Sequence, residues 1–106
     1  MIIVVSSYYP PEQAKEMVKR YAQQVKTNPE PSYLKLIGPY AKSDADKGIV
    51  VMTLYEVANE RLAEGLLWAG QAMAAYIGVP GFTYTVRVWY TAAEALKTIG
   101  MTDPRA

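Results

Sequence analysis

Residues 48–57 read Gly-Ile-Val-Val-Met-Thr-Leu-Tyr-Glu-Val, and their pattern decides the fold. Apolar side chains stand at odd positions (Ile49, Val51, Tyr55) and at even ones (Val50, Met52, Leu54). A strand with one wet face alternates apolar and polar residues. A strand that does not alternate is covered on both sides. The stretch is therefore expected to be a central strand. Helices of the same chain can supply one cover. The chain has 106 residues, enough for one domain and one core, so the second cover is expected from a second copy.

Towards the N-terminus, residues 2–9 show the same two-faced apolarity, with Ile2 and Val4 on one side and Ile3 and Val5 on the other. This is a second central strand. Pro10-Pro11-Glu12 starts a helix, because first-turn amides have no intrahelical partner for proline to remove and Glu12 suits the positive end of the dipole. The spacing predicts a helix to about Thr27, burying Ala14, Met17, Val18, Tyr21, Ala22 and Val25 in one stripe. Asn28-Pro29-Glu30-Pro31 ends it. Residues 33–40 read as a strand, with Leu34 and Leu36 on one face and Tyr33, Lys35 and Ile37 on the other. Gly38-Pro39 marks it as an edge strand or a bulge, since proline cannot donate to a ladder. Residues 41–47 form a polar turn into the opening stretch, making a hairpin.

Towards the C-terminus, Asn59 is the expected N-cap of a helix that Gly78 and Pro80 end at about Ile77. Leu62, Leu66, Ala69, Met73 and Ile77 make its buried stripe. Trp68 falls beside the polar stripe and is expected to meet a partner or the C-terminal helix. Glycine inside a helix costs about 1 kcal/mol against alanine, so Gly65 and Gly70 imply close packing. Residues 82–90 alternate cleanly, with Phe82, Tyr84, Val86, Val88 and Tyr90 opposite Thr83, Thr85, Arg87 and Trp89. Thr91 and Glu94 form a capping box for a short last helix, and residues 101–106 a frayed tail.

The order strand, helix, strand, strand, helix, strand, short helix defines an α+β fold. With right-handed crossovers it gives a ferredoxin-like four-stranded antiparallel sheet in the order four-one-three-two, both main helices on one face. Residues 1–100 are expected to form this single domain.

Composition removes several functions. Eleven basic residues against ten acidic ones give a net charge of +1, and no basic stripe is present to neutralise nucleic-acid phosphates. No apolar run reaches the ~20 residues of a membrane span. The N-terminus reads as a first strand and not as a signal peptide, so a cytoplasmic protein is expected. The chain has no Cys and no His. Thiol nucleophiles, imidazole or thiolate metal sites and a Ser-His-Asp relay are thereby excluded. No metal and no other cofactor is expected, and acid–base work falls to Asp, Glu, Lys or Tyr.

The element order, the Tyr8-Tyr9-Pro10-Pro11 junction and the closing Val86-Arg87-Val88-Trp89-Tyr90 strand resemble the dimeric α+β barrel superfamily over residues 1–100. They also resemble small bacterial domains of unknown function within it. The resemblance implies that the helix-free faces of two sheets pair into a barrel, in a homodimer or a larger homo-oligomer. Some members are cofactor-free monooxygenases or other small-molecule-modifying enzymes, and others bind metabolites. Active members often use a histidine, which this chain lacks, so no catalytic residue carries over. Two functions follow as expectations. One is a homodimer binding a small molecule in a mostly apolar cavity, between sheet and helices or within the barrel, as a cofactor-free oxygenase or isomerase of an aromatic or polyketide-like compound. The alternative is a non-enzymatic oligomerisation or structural module. A ligand-sized apolar cavity favours the first; a barrel packed solid by Met52, Leu54 and Trp89 favours the second.

The candidate ligand-binding residues are Arg87, Trp89, Glu56, Tyr33 and Tyr8. Arg87 and Trp89 are two apart on one strand face, about 7 Å between them. A guanidinium beside an indole can bind a carboxylate or enolate while an aromatic ring stacks on the Trp. Glu56 is expected too far from Arg87 to pair with it, two strands over (about 10 Å) and about four residues along (about 13 Å). Arg87 should then find its anion in a ligand, in a second subunit or in solvent. Glu56 is expected opposite Tyr33 with Lys35 on the diagonal, as a general base, a ligand contact or simply an ion pair with Lys35. Tyr8 or Tyr9 can orient a ligand carbonyl, or pack as core. Asp44-Ala45-Asp46 can hold a cation, or shape a turn.

Overall fold

The computed structural model describes residues 1–105. Of the tail expected over 101–106, Ala106 lies outside the described residues. Four strands, β1 (Ile2–Tyr9), β2 (Leu34–Asp44), β3 (Gly48–Val57) and β4 (Thr83–Trp89), form one antiparallel sheet in the order β2-β3-β1-β4. The helices are α1 (Ala14–Thr27), α2 (Leu62–Ala74) and α3 (Ala92–Lys97). This is the ferredoxin-like arrangement, with β1 and β3 central as their two-faced apolarity requires.

Burial alternates along β1: Ile3, Val5 and Ser7 are buried, while Ile2, Val4, Ser6 and Tyr8 are only partly covered. The buried side faces the helices. Ile3, Val5, Leu34, Tyr55 and Val57 pack there against Trp68, Ala69 and Ala72 of α2. The shortest dimension of the molecule is 18 Å, the thickness of one helix layer on one sheet. The other sheet face has no cover within the chain. Its rows follow from the register: Ile2 with Glu56 and Trp89, Val4 with Leu54 and Arg87, Ser6 with Met52 and Thr85, Tyr8 with Val50 and Thr83.

Several local expectations are corrected. β2 extends to Asp44, so residues 41–44 belong to the strand and the turn is confined to 45–47. The edge strand or bulge expected at Gly38-Pro39 is present in both senses: β2 lies at the sheet edge, and a bulge between Ile37 and Tyr40, where Gly38 has φ +96°, breaks the β2–β3 register. Asn59 is not the cap of α2. A 3-10 turn (Asn59–Arg61) precedes that helix without a side-chain cap, and Asn59 Oδ1 instead accepts from the Met1 ammonium at 3.4 Å. The last helix keeps its capping box, with Glu94 N donating to Thr91 Oγ1 and Thr91 N to Glu94 Oε1.

Both stripes are rotated from where periodicity puts them. On α2, Gly65, Trp68, Ala69, Ala72 and, just beyond it, Tyr76 are buried, while Ile77 is exposed. Trp68 faces neither a partner nor α3. It is 7% exposed, meets Tyr55 edge-on at 5.4 Å between ring centroids, and its Nε1 donates to Asn28 Oδ1 at 3.1 Å. Gly65 has the packing reason inferred for it, since a Cβ there would lie 3.0 Å from Ile3 Cδ1 and 3.1 Å from Leu34 Cδ2. Gly70 has none, with nothing within 4 Å.

On α1, Met17 and Gln24 are the buried residues, while Val18 (63% exposed), Tyr21 and Val25 are not. The reason is what α1 packs on. Met17 joins Tyr76 and Val79, Arg20 Nη1 donates to the carbonyls of Ala75 and Ile77 at 3.3 and 3.0 Å, and Asn28 holds Trp68. All these contacts are to α2 and the turn after it. Fastened sideways, α1 overhangs β2 and β3 and leaves a cleft beneath.

Candidate functional site

The cleft between α1 and the sheet has a volume of about 220 Å³. Its floor carries Val5, Ser7, Thr53 and Tyr55 of the central strands, and its back wall Ala72, Met73 and Tyr76. Met17, Val18, Tyr21 and Gln24 of α1 roof it, and Leu36 and Tyr40 of β2 stand at its open side. The local reasons are simple. Inward positions of β1 and β3 must point under the helix layer. Two of them are polar, Ser7 and Thr53, so the floor is not sealed by aliphatic packing.

The buried polar groups are braced. Tyr76 Oη donates to Gln24 Oε1 at 3.3 Å, which explains why a glutamine sits on the inward face of α1. Gln24 Nε2 donates on to the Asn28 carbonyl at 3.4 Å. Tyr76 also packs on Phe82, 5.5 Å between centroids, and Tyr55 on Trp68. Burial raises the pKa of Tyr55 well above the ordinary phenol value, and the Glu30 carboxylate adds to that rise. Burial likewise pushes Tyr76 up to about 12, with Tyr21 adding to it. Both phenols are neutral donors at physiological pH.

Of the residues singled out from sequence, Tyr9 lines the cleft, and the others lie elsewhere. Arg87, Trp89 and Tyr8 line one open hollow on the helix-free face, with Lys47, Thr83 and Thr85. Arg87 and Trp89 are exposed, and among the described residues Arg87 has no ion-pair partner. Tyr8 sits under Lys47, whose Nζ is 5.0 Å from the ring centroid. Tyr33 and Glu56 line a different depression with Lys35.

There the register differs from expectation. Lys35, not Tyr33, is opposite Glu56, with Lys35 Nζ 3.8 Å from Glu56 Oε2. Tyr33 lies outside β2 and stacks under Arg61, whose guanidinium carbon is 4.1 Å from the ring centroid. Arg87 is level with Leu54 across β1, so Glu56 is two residues along, about 7 Å, and not four; at two strands' distance it remains out of reach. The Asp44 carboxylate shapes the hairpin turn, accepting from Asp46 N at 2.8 Å and Lys47 N at 2.9 Å, contacts that also lower its pKa. Among the described residues no group of three or more His, Cys, Asp or Glu is placed to hold a metal ion, and no helix is long and apolar enough to cross a membrane.

Apart from Tyr9, the cleft residues do not stand out in the sequence: Tyr55 reads as strand core, Gln24 has no evident role, and Glu30 belongs to a helix stop. The available signal was the polar content of inward positions, Ser7, Thr53 and Gln24, on otherwise apolar faces.

No protein-family model and no curated protein matches the sequence. Among solved structures, the C-terminal domain of the MgtC protein from Mycobacterium tuberculosis is similar, with 13% identity, a TM-score of 0.47, and coverage of 86% of this chain and 92% of that one. Rv0793 from Mycobacterium tuberculosis is similar at 15% identity and a TM-score of 0.49, over 87% of this chain and 97% of that one. The class of the present chain, a single α+β sheet domain, stands on its own strand order and helix placement.

Proposed function

We propose that the protein binds a small, largely apolar molecule in the cleft under α1, and that it does so as a homodimer. The cleft is the observation that carries the reading. It is apolar on most of its wall, yet Tyr55, Tyr76, Ser7 and Gln24 converge on it with polar groups, the composition of a binding cavity. A dry cavity of about 150 Å³ holds one benzene ring, so 220 Å³ matches a bicyclic ligand. An oxygenase or isomerase acting on an aromatic compound would have its reaction here. Glu30 is the one carboxylate among the lining of the cleft.

The dimer follows from the bare sheet face. Met52 (42% exposed) and Trp89 (61%) stand on it, beside the partly covered Ile2, Val4 and Leu54. Pairing two such faces closes the barrel that the resemblance implies. It should bury about the 800 Å² per partner of a specific interface. An assembly module alone is the second reading, favoured if the cleft stays empty.

The test is titration of the protein with 1-naphthol, followed by amide shifts in two-dimensional NMR. Shifts are expected at α1, at β3 around Thr53 and at Tyr76, and their loss is expected in Val51→Phe, which fills the cleft. Shifts that are absent, or unaffected by Val51→Phe, would count against a ligand site there.

A further inference from the structure

The chemistry of the cleft wall specifies the charge of its ligand. Five tyrosines line it, Tyr9, Tyr21, Tyr40, Tyr55 and Tyr76, and Glu30 is the one charged residue among its lining. No lysine or arginine faces it, and among the described residues no cationic group lies within ion-pair distance of Glu30. Glu30 is half-buried, and a cation bound in the cleft pairs with it there, the negative faces of the tyrosine rings attracting it further.

We propose that the cleft is an aromatic cage for a small organic cation, an alkylated ammonium group held among tyrosine side chains with Glu30 as its counter-ion. This rests on the reading of the cleft as a ligand site and adds the ligand class. The two ends of the cage differ. Tyr55 and Tyr76 are buried at its base and locked by Trp68 and by Phe82 with Gln24, so they are preorganised. Tyr21 and Tyr40 are exposed at the mouth, where they can close over a ligand. The neutral state of the buried phenols leaves the charge of the cage to Glu30 alone. The hollow on the opposite sheet face has the reverse character, with Lys47 and Arg87 and no acid among its lining. An anionic ligand is therefore directed away from the cleft.

The volume fits. Choline has seven non-hydrogen atoms, about one more than the benzene that fills a cavity of about 150 Å³, and the cleft offers 220 Å³. The experiment compares choline with its uncharged isostere 3,3-dimethylbutan-1-ol in NMR titrations of the full chain. Choline is expected to bind at least about tenfold tighter, as a desolvated cation–π contact gives, with shifts at Tyr55, Tyr76 and Tyr21. Glu30→Gln should weaken choline about three- to tenfold and leave the alcohol unchanged. Tyr21→Leu, a change at an exposed position that spares the fold, should weaken choline also. Equal binding of choline and the alcohol, or choline shifts on the helix-free face, overturns the proposal. If 1-naphthol still binds in the cleft in that case, the cleft remains a ligand site for neutral compounds. If neither 1-naphthol nor choline binds, both readings fall.

Discussion

Trp68 Nε1 donates to Asn28 Oδ1 at 3.1 Å across 40 residues of chain, pinning the end of α1 to the middle of α2. Trp68 in turn packs on Tyr55, which lines the cleft, so the contact ties the end of α1 to the cleft floor. Asn28→Ala leaves a nearly buried indole N–H without its acceptor. The expected loss is about 1–3 kcal/mol in urea unfolding, with weaker 1-naphthol binding. A loss under about 0.5 kcal/mol, the scatter of ordinary surface changes, would mean that other contacts hold α1.

The two glycines of α2 should respond oppositely. Gly70→Ala gains helix propensity with nothing in the way and should stabilise by up to about 1 kcal/mol. Gly65→Ala must push Ile3 and Leu34 aside, an overpacking cost of about 1–3 kcal/mol that offsets the same gain. Thermal unfolding of both variants checks this; Gly65→Ala should be the less stable of the two.

Acid sensitivity should trace in part to Glu94. The backbone amide of Thr91, and then the Met1 ammonium, hold its pKa at about 2 against an ordinary 4.5. A depressed folded-state pKa contributes stability that is full above the unfolded value and lost as pH falls through the folded one. The unfolding midpoints of wild type and Glu94→Gln should therefore differ by a constant amount above about pH 5 and converge between pH 4.5 and 2. Parallel curves down to pH 2 would remove Glu94 from the account.

Assembly is read by sedimentation velocity. Met52 is exposed on the bare face, so the wild type is expected to sediment as the proposed dimer and Met52→Asp as a folded monomer. Arg87→Ala separates three roles for the guanidinium. A weakened dimer makes it an interface residue, and an intact dimer that no longer binds an acidic aromatic compound makes it a ligand residue. No change in either makes it a solvated surface residue.

The sheet was legible because apolarity on both faces of β1 and β3 leaves only the central positions for them. The dry face that alternation gave the last strand is not dry: Tyr84, Val88 and Tyr90 are exposed and only Phe82 and Val86 are partly covered, since β4 lies at the sheet edge. The β2–β3 register was not legible. The strands run on to Asp44 and Gly48, so the turn is shorter than the 41–47 expected and the pairing slides accordingly; the bulge between Ile37 and Tyr40 then shifts it back by one residue, which leaves Lys35 and not Tyr33 opposite Glu56. The helix faces were half legible. Leu62, Leu66 and Met73 do pack against the core, but Trp68 outweighs them because its ring reaches Tyr55 and its N–H finds Asn28. Gln24 could not be placed from its neighbours in sequence, since its burial depends on Tyr76, 52 residues away. The same non-local pairing hid most of the cleft's lining. Its tyrosines look like core in the sequence and line an open cleft only because α1 leans on α2 and not on the sheet.

The central claim, a ligand site between α1 and the sheet, is tested most directly by a crystal structure of the protein grown with 1-naphthol. The account predicts ring-shaped density under α1, bounded by Tyr55, Tyr76 and Tyr21, with the naphthol hydroxyl within hydrogen-bond reach of Gln24, Tyr55 or Glu30. A cleft closed by α1 settling onto Thr53 and Val51, or density found only beside Arg87 and Trp89, would contradict it.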